Sequence, residues 1–323
     1  GLGDETSWAV SATTLADFQD LQGDGGWVQA VVGGEYGVII QEKAIQRMTF
    51  SGSPRAFDFD RMEGSRGTPA PGSVVQYADA VFYLSDDGFY VFDGVSSHPI
   101  GANKIDKTFF ADLDASYYYR ITSAADPINK LIYWGYPGAG ATAGQPNKIL
   151  MYDIVNRKWA PLSGFEFQVL VLSMTVGISP DSIDALLGFT GDTWTLSPDS
   201  RAYTGGKHQL AAFTTANKLG LFDAAKLAAT LETTEAQLFD GRRAFVTGCR
   251  PIVDGGTVTV RPISRNLPSD TLTIGSAVSL NSNGLAPLRV NARYHRMRVE
   301  IAAGGAWTHA SGLEVEARPE GRR

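Results

Sequence analysis

The apolar positions of this chain fall in short runs separated by Gly, Pro, Asp and Asn, and scarcely anywhere at helical spacing. The stretch 73–94 is the clearest case. Val74 and Val75 open one run, Val81 to Leu84 form a second and Phe89 to Phe92 a third. Ala78-Asp79-Ala80 and Asp86-Asp87-Gly88 lie between them, and Asp93-Gly94 closes the stretch. Aromatic and β-branched runs divided by Asp-Gly predict a hairpin, because glycine takes up the turn conformation without steric cost. The expected element is an antiparallel meander turned at Asp87-Gly88, with a fourth strand near 97–100. A lone meander cannot bury both of its faces, so the rest of the chain has to repeat it, stack on it or close it into a ring.

The same texture recurs along the chain. Residues 27–62 carry four runs (VQAVVGG, YGVIIQE, AIQRMTF and AFDFDRM), with Gly33-Gly34 and Ser51–Pro54 as turns. A loop, GSRGTPAPG, follows at 64–72, and 104–113 suit a short helical turn. Residues 117–161 read as YYRITSAAD, KLIYWGYP, KILMYDI and KWAPL around the loop GAGATAGQPN, and 165–196 as FQVLVLSMT, DALLGFT and DTWTL. Units of three or four strands, recurring every 40 to 50 residues or so, are the pattern of propeller blades. Two stretches read as helix candidates, LADFQDL and FDAAKLAATLETTEAQLF. The second has Asp223 as an N-cap, while Thr230, Thr233 and Thr234 also allow a strand. Beyond 226 the runs RRAFVTGCRPIVDGG, TVTVRPISRN, TLTIGSAVSL, LRVNARYHRMRVEI and GLEVEARPEG alternate in the manner of a two-layer sandwich. The expected architecture is therefore all-β: a β-propeller-like platform over 1–226 followed by a C-terminal β-sandwich over 227–323.

Composition supports a turn-rich chain with an ordinary core. Of 323 residues 43% are apolar and 36 are glycine, above the usual share of about 7%. No stretch approaches the roughly 18 consecutive apolar residues of a membrane span. The chain begins at Gly1, so either its start is processed or a further segment precedes it. Charge divides the chain more sharply. Residues 1–240 hold 16 basic and 28 acidic residues, whereas 241–323 hold 12 basic and 6 acidic, and all 12 are arginine. The planar guanidinium fork matches carboxylates and phosphates and is weakly hydrated, which suits paired and interfacial positions. Arg242, Arg243, Arg289, Arg293, Arg296 and Arg298 are thus the candidate interface residues. They are expected to pair with carboxylates of the acidic part, within one subunit or across a joint between subunits; the rival reading is a basic surface for DNA. Strand alternation puts Arg296 and Arg298 on one face and Arg293 on the other.

Chemistry is sparse. Cys249, the one cysteine, sits in a strand-like run and reads as a small buried thiol. His98, His208, His295 and His309 show no metal-ligand spacing, and no nucleophile-elbow, zincin, Walker or dinucleotide motif occurs in a usable context. Asp58/Asp60 and Asp86/Asp87 read as a solvated strand face and a turn before they read as acid–base pairs. Ser85–Phe89 is one residue off the Ser-x-Asp-x-Gly-x-x-Trp turn of propeller sialidases, and Thr190–Trp194 lacks its glycine. Tyr117-Tyr118-Tyr119 suits strand packing, or stacking on sugars or bases. No catalytic residue, cofactor or metal is expected, and no enzymatic activity.

Three segments carry a family likeness: GGEYGVIIQEKAIQRMTFSGSPRAFDFDRMEGSRGTPAPGSVVQYADAVFYLSDDGFYVFDG, then PIGANKIDKTFFADLD, then LRVNARYHRMRVEIAAGGAWTHASGLEVEARPEGRR. Over about residues 5–323 the chain resembles the tail hub or nozzle proteins of short-tailed bacteriophages and prophages, also labelled stabilisation proteins. The stretches AIQRMTF-SGSP, RGTPAPGSVV and the terminal YHR…GRR are the most specific. The resemblance implies a propeller platform with added β-domains in a ring of six subunits below portal and adaptor, beside tail fibre or tailspike, with genomic DNA passing through the lumen. The protein would then be a virion component made in the host cytoplasm. A net charge of −6 suits passage of a polyanion better than a grip on its phosphates. The alternative is a carbohydrate-active or carbohydrate-binding β-propeller.

Overall fold

The computed structural model describes residues 18–52, 56–174, 206, 208–222 and 225–321, together with residues 6 and 9. The chain is nearly all β, built from several antiparallel sheets. It divides into two compact units, Gly1–Phe222 and Asp223–Arg323.

The first unit is a series of sheets, each a meander in chain order. The first contains β1 (Val28–Val32), β2 (Gly37–Gln41), β3 (Ile45–Phe50) and β4 (Phe57–Glu63). The second contains β5 (Val75–Tyr77), β6 (Ala80–Leu84), β7 (Phe89–Phe92) and β8 (Ser97–Pro99). A seven-residue helix, α1 (Asp106–Asp112), follows. The third sheet is β9 (Thr122–Asp126), β10 (Leu131–Tyr136), β11 (Lys148–Asp153) and β12 (Lys158–Ser163). The fourth is β13 (Phe167–Met174), β14 (His208–Thr214) and β15 (Leu219–Leu221). The Asp87-Gly88 hairpin forms as expected, with Leu84 opposite Phe89 and Ser85 N donating to Gly88 O at 2.8 Å.

Strand alternation explains how these sheets bury both faces. On β6, Val81 and Tyr83 join Val38, Ile40 and Ile45 of the first sheet in one apolar cluster. Phe82 and Leu84 point the other way, to Ile132, Trp134, Leu150 and Tyr152 of the third sheet and Phe109 of α1. Tyr133 and Ile149, on the opposite face of the third sheet, meet Phe167, Leu170, Leu210 and Ala212 of the fourth. The second and third sheets thus each supply one face to the sheet before and one to the sheet after. The loop 64–73 is packed rather than solvated. Thr68 Oγ1 donates to Leu84 O at 2.6 Å, Ser73 Oγ accepts from Leu84 N at 3.1 Å, and Ser73 O accepts from Trp134 Nε1 at 2.8 Å.

Several local expectations are corrected. Tyr117–Tyr119 lie in a 3-10 turn, Ala115–Arg120, not in a strand; Asp114 caps it by accepting from Ser116 N at 3.1 Å. The candidate helix after Asp223 is, in its described part, the strand Ala229–Glu232, so the threonines outweigh the cap signal. Residues 18–21 of LADFQDL are not helical, and its first residues lie outside the described ones, as do DALLGFT, DTWTL and Thr190–Trp194.

The second unit holds two sheets. One is formed by β16 (Ala229–Glu232), β18 (Val258–Arg265), β19 (Thr273–Ile274), β20 (Val278–Ser279) and β22 (Tyr294–Ile301), the other by β17 (Ala244–Val253), β21 (Ala286–Ala292) and β23 (Ala310–Pro319). Val260 and Met297 of the first meet Val246, Cys249, Ala286 and Leu288 of the second in one cluster, with Leu313, Val315 and Ala317 packed against it.

Candidate functional site

The sequence singles out the arginines of the second unit, and the structure places them in three settings. β22 alternates strictly: His295, Met297, Val299 and Ile301 are buried, while Tyr294, Arg296, Arg298 and Glu300 face out. Glu232 of β16 lies opposite Arg298 in register, and Arg261 of β18 lies opposite it on the other side. Two arginines facing each other across a ladder repel, and each is drawn to a glutamate. Arg298 Nε donates to Glu232 Oε2 at 2.8 Å, and Arg261 Nε donates to Glu300 Oε1 at 3.1 Å. Arg296 Nη1 reaches Glu232 Oε1 at 3.3 Å, and its Nε lies 3.7 Å from Glu235 Oε2. Glu235 also receives Arg265 Nη2 at 2.6 Å. The result is a lattice of four arginines and three glutamates over one sheet face.

These groups are neither free nor sealed: Arg296 and Arg298 are each 31% exposed and Glu232 is 27% exposed. The hydrogen bond from Arg298 holds the Glu232 carboxyl below the usual glutamate range, and that from Arg265 does the same for Glu235. A depressed folded-state pKa contributes stability that is present above the ordinary value and lost as pH falls through the folded one. The urea midpoint of the protein should therefore fall between about pH 5 and pH 3. Glu232→Gln should flatten that dependence while costing only about 1 kcal/mol at neutral pH, as expected for a pair open to solvent.

The second setting is the outer face of the other sheet. Arg250 lies 3.5 Å from Glu314 and 3.9 Å from Glu316, and the Arg318 guanidinium stacks 4.8 Å over the Phe245 ring. Arg289 is exposed on β21 and makes no ion pair among the described residues. The third setting is one end of the unit, where β17 begins, β18, β21 and β23 end, and β22 begins. Arg242 and Arg243 precede β17, and Arg293 occupies the corner between β21 and β22 rather than a strand face. Arg243 donates through Nε and Nη2 to Asn266 Oδ1 at 3.2 and 2.8 Å. Among the described residues, none of these three makes an ion pair. The glutamates that pair with Arg296 and Arg298 belong to the second unit. Both lie within residues 1–240, the acidic part in which the sequence places the partners, but the pattern left helix and strand open over 222–239 and so did not single out Glu232 opposite Arg298.

The remaining candidates are local fixtures. Cys249 is buried, which pushes its thiol up to about 11. His295 is buried, with Nε2 3.0 Å from Ala292 O, and burial pulls its pKa down. His98 sits 3.0 Å from Asp93 and His309 3.2 Å from Asp254, both exposed, and His208 is exposed at the start of β14. Asp87 accepts from Tyr90 OH at 2.8 Å, beneath an Arg66 guanidinium 4.2 Å from the Tyr90 ring, and Asp86 accepts from Ser85. Asp58 and Asp60 share the exposed face of β4, Asp60 lying 3.6 Å from Arg47. Tyr119 is 67% exposed, its ring 6.1 Å from that of Tyr117, with Arg120 over both. Among the described residues no group of His, Cys, Asp or Glu is placed to hold a metal ion, and no helix is long and apolar enough to cross a membrane.

No family model and no curated protein matches the chain. Among solved structures it is similar to the exo-beta-1,3-galactanase of Phanerochaete chrysosporium with galactose, at 10% identity and a TM-score of 0.23 over 88% of this chain and 80% of that one. A glycoside hydrolase is similar at 8% identity and a TM-score of 0.20, over 87% of this chain and 81% of that one. Likeness of this degree carries no argument about substrate or reaction. The expectation of a chain without enzymatic activity is nonetheless corrected: these two solved structures, similar over most of its length, are glycoside hydrolases, so that exclusion is withdrawn.

Proposed function

We propose that the chain is a subunit of the tail hub or nozzle ring of a short-tailed bacteriophage, part of the conduit through which the genome leaves the virion. The observation that carries this reading is the order of the first unit. Successive antiparallel meanders, each sharing an apolar cluster with the next, support a propeller-like platform. The paired sheets of the second unit support a β-sandwich appended to it. The resemblance implies a propeller platform with added β-domains, and the acidic net charge of −6 favours sliding of DNA over binding. In this reading the partners are further copies in a closed ring, six on the family pattern, with adaptor and tail fibre or tailspike proteins as neighbours. A head-to-tail contact that closes on itself generates such a ring. Mass measurement of tail particles containing the protein tests it. The expected result is a fixed cyclic number of copies; a single copy per tail refutes it.

A second reading, a carbohydrate-binding propeller, is favoured by one feature, the exposed Tyr119 beside Tyr117 and Arg120. Aromatic faces of this kind pack on sugar rings. Polysaccharide binding that is lost in Tyr117→Ala/Tyr119→Ala would establish it.

A further inference from the structure

Among the described residues, the second unit's arginines without an ion pair are Arg289, single on β21, and three grouped at one end. On its two sheet faces Arg250, Arg261, Arg265, Arg296, Arg298 and Arg318 each lie within ion-pair distance of a glutamate. At the end where β17 starts, Arg242, Arg243 and Arg293 make no ion pair among the described residues. Arg242 is exposed, and the other two are half-buried. The acidic groups at the same end are engaged or single. Glu235 takes Arg265 and Arg296, Glu320 accepts from Asn291 at 3.0 Å, Asp270 accepts from Leu267 N at 2.9 Å, and Asp240 stands alone beside Arg242. Three arginines thus lie at one end of the unit without an ion pair among the described residues, Arg243 being held by the neutral Asn266 side chain.

We infer that this arginine end is a docking surface for the acidic first unit of a second copy of the chain. The inference rests on the self-assembling reading above and names the joint. Charge decides the occupant. Residues 1–222 hold 15 basic and 24 acidic residues, and 223–323 hold 13 basic and 10 acidic. Each copy thus carries both the excess of carboxylates and the arginines that lack them. The exclusive use of arginine after residue 240 points the same way: arginine is enriched and lysine depleted at protein–protein contacts, and the fork pairs bidentately with carboxylates. A surface built to hold the phosphates of nucleic acid has no reason to exclude lysine.

The test is Arg242→Gln/Arg243→Gln/Arg293→Gln in the full chain, with Arg289→Gln, an exposed and unpaired arginine outside this end, as the control. Self-association is followed by sedimentation velocity between about 0.1 M and 1 M salt, over which the Debye length falls from about 10 Å to about 3 Å. Expected are wild-type association that weakens with salt, a loss of about tenfold or more in the triple variant, no change in the control, and an unaltered thermal midpoint in both. A triple variant that assembles as well as wild type overturns the inference and leaves the ring reading intact. Wild-type protein that is single both in solution and in tail particles overturns the two together. Loss of binding to a duplex of about 20 base pairs, with self-association unchanged, overturns it in favour of phosphate recognition.

Discussion

Trp134→Ala should lower the unfolding free energy of the protein by about 3–5 kcal/mol, the cost of emptying a large aromatic site that the surroundings cannot refill. Trp134 is fully buried at the centre of the cluster between the second and third sheets. Its ring lies 4.8 Å from Phe89 and 5.6 Å from Trp159, and its indole N–H holds the carbonyl of Ser73 at 2.8 Å. Truncation removes the packing and leaves that carbonyl unpaired in a dry site, a further penalty. Urea unfolding measures it: an unfolding free energy within about 0.5 kcal/mol of wild type would mean that this cluster does not hold the sheets together. Trp134→Phe should recover most of the packing and none of the hydrogen bond.

The second large effect comes from one of the smallest side-chain changes. A Cβ on Gly67 would stand 2.6 Å from the carbonyl carbon of Glu42 and 2.7 Å from its oxygen, and closer still to Gln41 O. These are backbone atoms of the β2–β3 turn and cannot swing aside as a side-chain end does. The contact is also productive, since Thr68 N donates to Gln41 O at 3.0 Å. Gly67→Ala must push the 64–73 loop off the turn, at an expected cost of about 1–3 kcal/mol. The same change at Gly33, which has nothing within 4 Å, should have little effect. Thermal denaturation of the pair distinguishes them; equal midpoints would show that the loop can yield.

Much of the strand order was legible because it is written in local terms. The run-and-turn pattern of 73–94 specifies its own pairing, since each strand pairs with the next. The packed character of RGTPAPGS was not legible. It depends on Thr68 and Ser73 meeting Leu84 and Trp134, contacts that no local pattern announces. The Glu232–Arg298 pair is of the same kind, joining residues 66 apart. One local signal was overlooked. Asp126-Pro-Ile-Asn129-Lys130 and Asp153-Ile-Val-Asn156-Arg157 build the same hairpin turn. In each the aspartate accepts from the N–H groups two and three residues on, and the asparagine side chain donates back at 2.7 Å. Lys130 and Arg157 then take positive φ, 58° and 53°. The spacing D-x-x-N-[KR] was visible and would have fixed two of the three connections of the third sheet.

The strand order of the second unit also sets a timetable for biosynthesis. Strands of the first unit pair with chain neighbours, so each meander can form soon after it emerges. β16 instead waits for β22, whose last paired residue, Ile301, lies opposite Ala229, and β17 waits for β23, where Val253 pairs with Ala310 and Ala244 with Pro319. At about 5–20 residues per second, several seconds separate the synthesis of each strand from that of its partner. For that interval the apolar side of β17, including Val246 and Cys249, has no Leu313 or Val315 to cover it, and its edge stays open to pairing with another nascent chain. Copies on one polysome are crowded together, so the window for mispairing between nascent chains falls on this unit.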